Sequence, residues 1–271
     1  MRTEILKSII YKGKNKNDIE QFEYFLSRFN VNVQKYIEYI ARNNLHTLDL
    51  KCIKEIILAL HKNLDIKWLI QYEFDPLQME EIRLGLEDRL DVSIYANPKY
   101  DHDQMEEIRW GLESGIDVSV YAKPEYSWRK MREIRWGLEE GLDVSIYNKE
   151  EFDLEQMEEI RLALYKNLDP SWLIKYNFNY EQMREIRLGL EDRLDVSIYA
   201  NPKYDHDQME EIRWGLESGI DVSVYAKPEY NWRQMREIRW GLEEKLDVSL
   251  YAKPEYNWQQ MRKIRLELEN K

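Results

Sequence analysis

Apolar side chains recur in this chain on two superimposed beats. Within a segment they fall three and four residues apart, the spacing of one helical face. Across segments the pattern returns every 26 residues. Met79, Met105, Met131, Met157, Met183, Met209, Met235 and Met261 keep this period without a slip, and each is followed by Ile three positions later and Leu seven positions later. With Met as position 1, a unit reads close to M-x-E-I-R-[LW]-G-L-E-x-x-L-D-V-S-x-Y-A-x-P-x-Y-[DSN]-x-x-Q, and a weaker copy is aligned on Ile53. A fixed period of this size marks a solenoid, whose units bury apolar surface only against their neighbours.

The polar positions place the helix ends. Position 23 is Asp75, Asp101, Ser127, Asp153, Asn179, Asp205, Asn231 or Asn257, and three residues later stands Gln, except at Lys130. That spacing is a capping box. An aromatic residue precedes each cap, Phe74 and Tyr100 among them, so the periodic Met completes a hydrophobic staple. Position 11 is Asn63, Gly115, Gly141, Asn167 or Gly219 in five units, residues that tolerate a left-handed helix end. Position 13 is always Asp, and Pro170 follows it in one unit, which predicts the start of a second helix. Pro98, Pro124, Pro202, Pro228 and Pro254 keep that helix short. The expectation is an all-α solenoid of units with one long and one short helix.

The stacking direction is also readable. Glu at position 3 and Arg at position 5 lie on opposite flanks of the Met-Ile-Leu stripe. In the last unit the Glu becomes Lys263 while Arg265 is retained, and in the first unit the Arg becomes Ile57. We expect a ladder in which Glu of one unit pairs with Arg of the next, from Glu55 with Arg83 to Glu237 with Arg265. Gly at position 7 sits mid-helix at a cost of about 1 kcal/mol relative to Ala. Its expected reason is close packing by the next helix, with Trp110, Trp136, Trp214 or Trp240 over the notch, rather than an exposed aromatic ladder.

This spelling, over residues 53–271, resembles tandem-repeat arrays of Firmicutes proteins and their phages and mobile elements. The architecture is similar to leucine-rich-variant and HEAT-like helical solenoids. Residues 1–52 lack the period; Asn17–Phe29 and Val33–Asn43 read as amphipathic helices, either a cap for the array or a small partner-binding domain. Residues 261–271 would form the closing helix.

Charge narrows the partner. The net charge is −12, and from residue 79 onward 42 acidic residues face 28 basic ones. Phosphate binding needs a net basic stripe, so no direct nucleic-acid contact is expected, and a basic protein surface is the better complement. Cys52 is the single cysteine, which fits a reducing cytosol, and no apolar run reaches membrane length. His46, His61, His102 and His206 have no metal spacing, and no phosphate loop, nucleophile elbow or zinc-helix motif occurs. Neither a cofactor nor catalysis is expected.

Residues 79–147 match 183–251 except at Glu80/Arg184, Ser127/Asn231, Lys130/Gln234, Gly141/Lys245 and Ile146/Leu250, a duplicated block. Variation is concentrated at solvated positions. Glu80, Asp88 and Glu140 are candidate contacts outside the caps and the ladder. Trp128, Trp232 and Trp258 are either exposed anchors or covers for the staple beneath them. The functional expectation is a non-enzymatic cytoplasmic array that binds a basic partner through an acidic surface. The resemblance and the charge sign together imply a narrower form, an anti-defence inhibitor of a nucleic-acid-handling effector. A structural adaptor that scaffolds host proteins is the alternative.

Overall fold

The structure, a computed structural model, describes residues 2–28 and 34–270. It is all-α: fourteen α-helices and short 3-10 turns, with no strand among the described residues. The chain divides into two compact units, Met1–Glu139 and Glu140–Lys271. The first contains α1 (Arg2–Tyr11), α2 (Lys16–Arg28), α3 (Gln34–Arg42), α4 (Leu50–His61), α5 (Lys67–Ile70), α6 (Pro76–Glu87), α7 (His102–Glu113) and α8 (Trp128–Glu139). The second contains α9 (Leu154–Tyr165), α10 (Ser171–Ile174), α11 (Tyr180–Glu191), α12 (His206–Glu217), α13 (Trp232–Glu243) and α14 (Trp258–Glu269).

Within each unit the long helices stack in chain order. In the first, α4 packs on α6, α6 on α7 and α7 on α8; in the second, α9 packs on α11 and the series runs on to α14. At the N-terminal side α2 and α3 pack against α4, and α1, which periodicity did not anticipate, packs on α3. Phe29 and Val33, assigned to helix ends from sequence, lie outside the described residues.

The caps form as the spacing predicts. Asp75, Asp101, Asp153, Asn179, Asp205, Asn231 and Asn257 each make a reciprocal capping box with the Gln three residues on. Ser127 makes half of one, its hydroxyl accepting from the Lys130 amide at 3.3 Å. The opposite helix ends turn through a left-handed residue at every position 11 of the described array, Arg89, Arg193 and Lys245 included. The next amide then reaches back to position 7, as from Leu90 to the Gly85 carbonyl at 2.8 Å.

The second helix is shorter than expected. In most units it is one 3-10 turn, such as Val92–Ile94, capped by Asp91 through the Ser93 amide; only α5 and α10 reach four α-helical residues. Few residues separate the capping Asp from the turn that leads back to the next long helix. A helix nucleus that fixes several residues for one hydrogen bond has no room to propagate there.

This short return segment explains the mid-helix glycine, and not as the sequence suggested. The residue facing Gly85, Gly111, Gly189, Gly215 and Gly241 is the position-17 tyrosine of the same unit, not a tryptophan of the next helix. A Cβ at Gly215 would overlap the Tyr225 hydroxyl and lie 2.8 Å from Val222 Cγ1. Each such tyrosine is fully buried and donates to the carbonyl four residues before the glycine, as Tyr225 does to Glu211 at 3.0 Å. Where the tyrosine is replaced by Leu69 or Leu173, the glycine is Ala59 or Ala163. Volume removed from one side of the contact is restored on the other, which keeps the interior close-packed.

Two further polar links set the register between repeats. Gln78 closes its capping box by accepting the Asp75 amide on Oε1 and donates through Nε2 to the Tyr100 carbonyl at 2.6 Å; Gln156, Gln182, Gln208 and Gln234 repeat the second bond to the equivalent carbonyl. The Tyr100 hydroxyl in turn donates to the Ala122 carbonyl at 2.7 Å, as Tyr204 and Tyr230 do to Ala226 and Ala252. Where both bonds occur they demand a constant repeat length, so an inserted residue breaks them together.

Candidate functional site

The predicted ladder is present in the predicted direction. Arg83 Nε donates to Glu55 at 2.6 Å, Arg109 to Glu81 at 2.7 Å and Arg135 to Glu107 at 2.9 Å. In the second unit Arg187, Arg213, Arg239 and Arg265 bond Glu159, Glu185, Glu211 and Glu237 at 2.6 to 3.0 Å. The pairs are buried: Glu107 is 2% exposed and Arg135 8%. Each guanidinium also holds a second carboxylate four residues on, Glu87, Glu113, Glu139, Glu191, Glu217, Glu243 or Glu269.

One arginine between two glutamates leaves a rung with a charge of −1. Lys62 neutralises the rung at Glu87 and Lys166 the rung at Glu191. The five remaining rungs carry five of the fifteen net negative charges from residue 53 onward, where 46 acidic residues face 31 basic ones. About a third of the acidity therefore belongs to the ladder. Desolvation pushes Glu81, Glu107 and Glu211 above the usual carboxylate range, Glu211 to about 7, against the pull of their arginines. The position-6 tryptophans cover these rungs. Trp110 lies 5.2 Å from the Arg135 guanidinium, Trp214 5.3 Å from Arg239 and Trp240 5.1 Å from Arg265.

The proposed contact residues fall on different surfaces. Asp88 is exposed at the C-terminal end of α6. Glu80 is half-buried on the outer stripe of α6, 3.8 Å from Arg83, and lines a groove of about 360 Å³ with Phe22, Leu50 and Leu77. All three correct the sequence reading: Asp88 is the C-cap of its helix, Glu80 pairs with the ladder's Arg83, and Glu140 meets Arg161 at 3.4 Å, in the repeat where Tyr165 replaces the usual glutamate. Trp128, Trp232 and Trp258 are half-buried at the start of their helices, on the outer stripe formed by positions 24, 2 and 6.

On that stripe α8 and α13 carry the same arrangement. The Arg132 guanidinium lies 5.0 Å from the Trp128 ring and 4.8 Å from Trp136; Arg236 lies 4.8 Å from Trp232 and 5.1 Å from Trp240. Arg233 bridges Trp232 and Trp258 at 5.0 and 5.7 Å. Sequence analysis named the tryptophans but missed the arginines between them. The signal was the four-residue spacing Trp128-Arg132-Trp136, repeated at Trp232-Arg236-Trp240.

No cluster of three metal-ligating side chains occurs among the described residues. His102 and His206 each sit beside the neighbouring aspartate, at 3.3 and 3.4 Å, on exposed first turns. Cys52 is buried, and desolvation first, then nearby carboxylates, raise its thiol to about 11. No described helix is long and apolar enough to cross a membrane. No protein-family model, curated protein or solved structure matches this chain.

Proposed function

We propose that this chain is a non-enzymatic protein-binding array whose acidic edge takes a basic partner. The supporting observation is where the acid lies. Positions 9 to 13 of the seven repeats that begin at Met79 through Met235 hold 17 acidic and 4 basic residues. These are the C-terminal ends of the long helices and the turns that follow, where the helix dipole disfavours negative charge by about 0.3–1 kcal/mol per residue. In six of the seven groups the first carboxylate is tied to the ladder, and in all seven the aspartate at position 13 accepts an amide of the following turn. Asp88, Asp192 and Glu244, at the C-caps, are exposed instead. A charge that the helix disfavours, repeated at helix C-termini within each unit, fits a surface that steers a cationic protein. Its narrower form is a partner that itself handles nucleic acid and is blocked when its basic channel is covered.

The test is a triple reversal, Asp88→Lys with Asp192→Lys and Glu244→Lys. Because lysine suits a helix C-terminus, the fold is expected to hold or gain stability. Capture from a lysate by the wild-type chain should enrich basic proteins, weaken with salt and be lost in the triple variant. Retention of the same proteins by the reversed chain refutes the reading.

A further inference from the structure

Arg132 and Arg236 are out of place in a protein with twelve net negative charges. Every arginine of the buried ladder within each unit holds two carboxylates. Arg132 and Arg236 make no ion pair or hydrogen bond among the described residues, and their Nε atoms are buried with no partner. Both still ease the burial of the nearby glutamate, Glu107 or Glu211, through charge alone.

The fold does not require these residues. The same outer positions are Leu154, Glu158 and Leu162 on α9, Tyr180, Arg184 and Leu188 on α11, and His102, Glu106 and Trp110 on α7. All of these helices keep the same length and the same capping box. The Trp-Arg-Trp set is therefore an addition to the scaffold, and it is built once in each compact unit.

Its chemistry is specific. Two indoles flank one guanidinium at 4.8–5.1 Å and its Nε is buried, so the terminal nitrogens are the donors left for a ligand. A guanidinium fixed in this way reads planar anions through paired hydrogen bonds and loses little freedom on binding. Charge selects among such anions. Against a protein surface of this sign a dianionic phosphate is repelled more strongly than a single carboxylate.

We infer that Arg132 between Trp128 and Trp136, and Arg236 between Trp232 and Trp240, form a duplicated carboxylate-reading site for an aspartate or glutamate side chain of a protein partner. This rests on the protein-binding reading above and adds two features to it. The docking segment carries an acidic residue among its basic ones, and the array offers two equivalent sites. Residues 81–126 and 185–230 are identical, so the helices preceding both sites match, while the second site has in addition Arg233 against Trp258.

The probe is the peptide Lys-Lys-Glu-Lys-Lys with blocked ends, compared with Lys-Lys-Gln-Lys-Lys, added to the full ¹⁵N-labelled chain. The arginine Nε resonances report the contact. The Glu peptide should shift Arg132 and Arg236 together, with dissociation constants within about twofold of each other. It should bind about tenfold more tightly than the Gln peptide, the ratio expected of one charge-assisted pair. Arg132→Lys should abolish that preference at its own site and leave Arg236 unchanged, with circular dichroism unaltered. Inorganic phosphate at equal ionic strength should shift them less than acetate.

Equal binding of both peptides overturns the carboxylate site while leaving the acidic-edge reading intact, provided the binding weakens with salt. Absence of binding by either peptide overturns both. Tighter binding of phosphate than of acetate, or shifts at Arg89 and Arg193 as large as those at Arg132 and Arg236, also overturns the site.

Discussion

The contact between glycine and tyrosine is the most exposed point of the packing argument. Gly215→Ala should destabilise α12, although alanine is the better helix former by about 1 kcal/mol. The added methyl overlaps the Tyr225 hydroxyl and comes within 2.8 Å of Val222 Cγ1. Tyr225 is fully buried and held to the Glu211 carbonyl, so it moves only by giving up that bond, worth about 1 kcal/mol. Overpacking of a filled core adds about 1–3 kcal/mol. The balance is a loss of about 2 kcal/mol. Tyr225→Leu alone removes a ring from a close-packed site and should also cost about 2 kcal/mol. Both changes together recreate the natural Ala163 and Leu173 combination, so the double variant should lose about 1 kcal/mol, far less than the sum. Arrays of repeats need not unfold in one step. Local stability is therefore best read from amide exchange across α12, with urea unfolding followed by circular dichroism as a global check. A Gly215→Ala chain as stable as wild type, or a cycle without coupling, refutes the complementarity of the two positions.

The ladder should behave as a buried network: Glu185→Gln removes one of the two carboxylates on Arg213, which keeps Glu217, and should cost about 1–3 kcal/mol by urea unfolding, where an exposed pair would cost less than 1. At the left-handed helix end, Lys245→Gly should stabilise the chain by about 1 kcal/mol and the reverse change, Gly141→Lys, destabilise it by a similar amount, because φ is 57° and 72° at these positions. Thermal unfolding of the two variants, measured side by side, tests that pair. Unchanged midpoints in both refute it.

Much of this protein is legible before any coordinates. Capping residues, the Met-Ile-Leu stripe and the repeat period are local or strictly periodic, so they determine the long helices, their ends and their count. Even the stacking direction is written in the chain, since the first and last repeats described lose Arg or Glu only on the flank that faces no other repeat among the described residues. The tertiary structure decided what depends on one side chain meeting another across the unit. A glycine states that something comes close; that it is the tyrosine ten residues later follows only from how the return segment folds back. The same holds for charge. Composition reports a sum, whereas burial separates the glutamates spent on the ladder from Asp88, Asp192 and Glu244, exposed at their helix ends. Spacing alone put arginine and tryptophan on one helix face, but only packing revealed which arginines already had carboxylates and which, at Arg132 and Arg236, were left between rings.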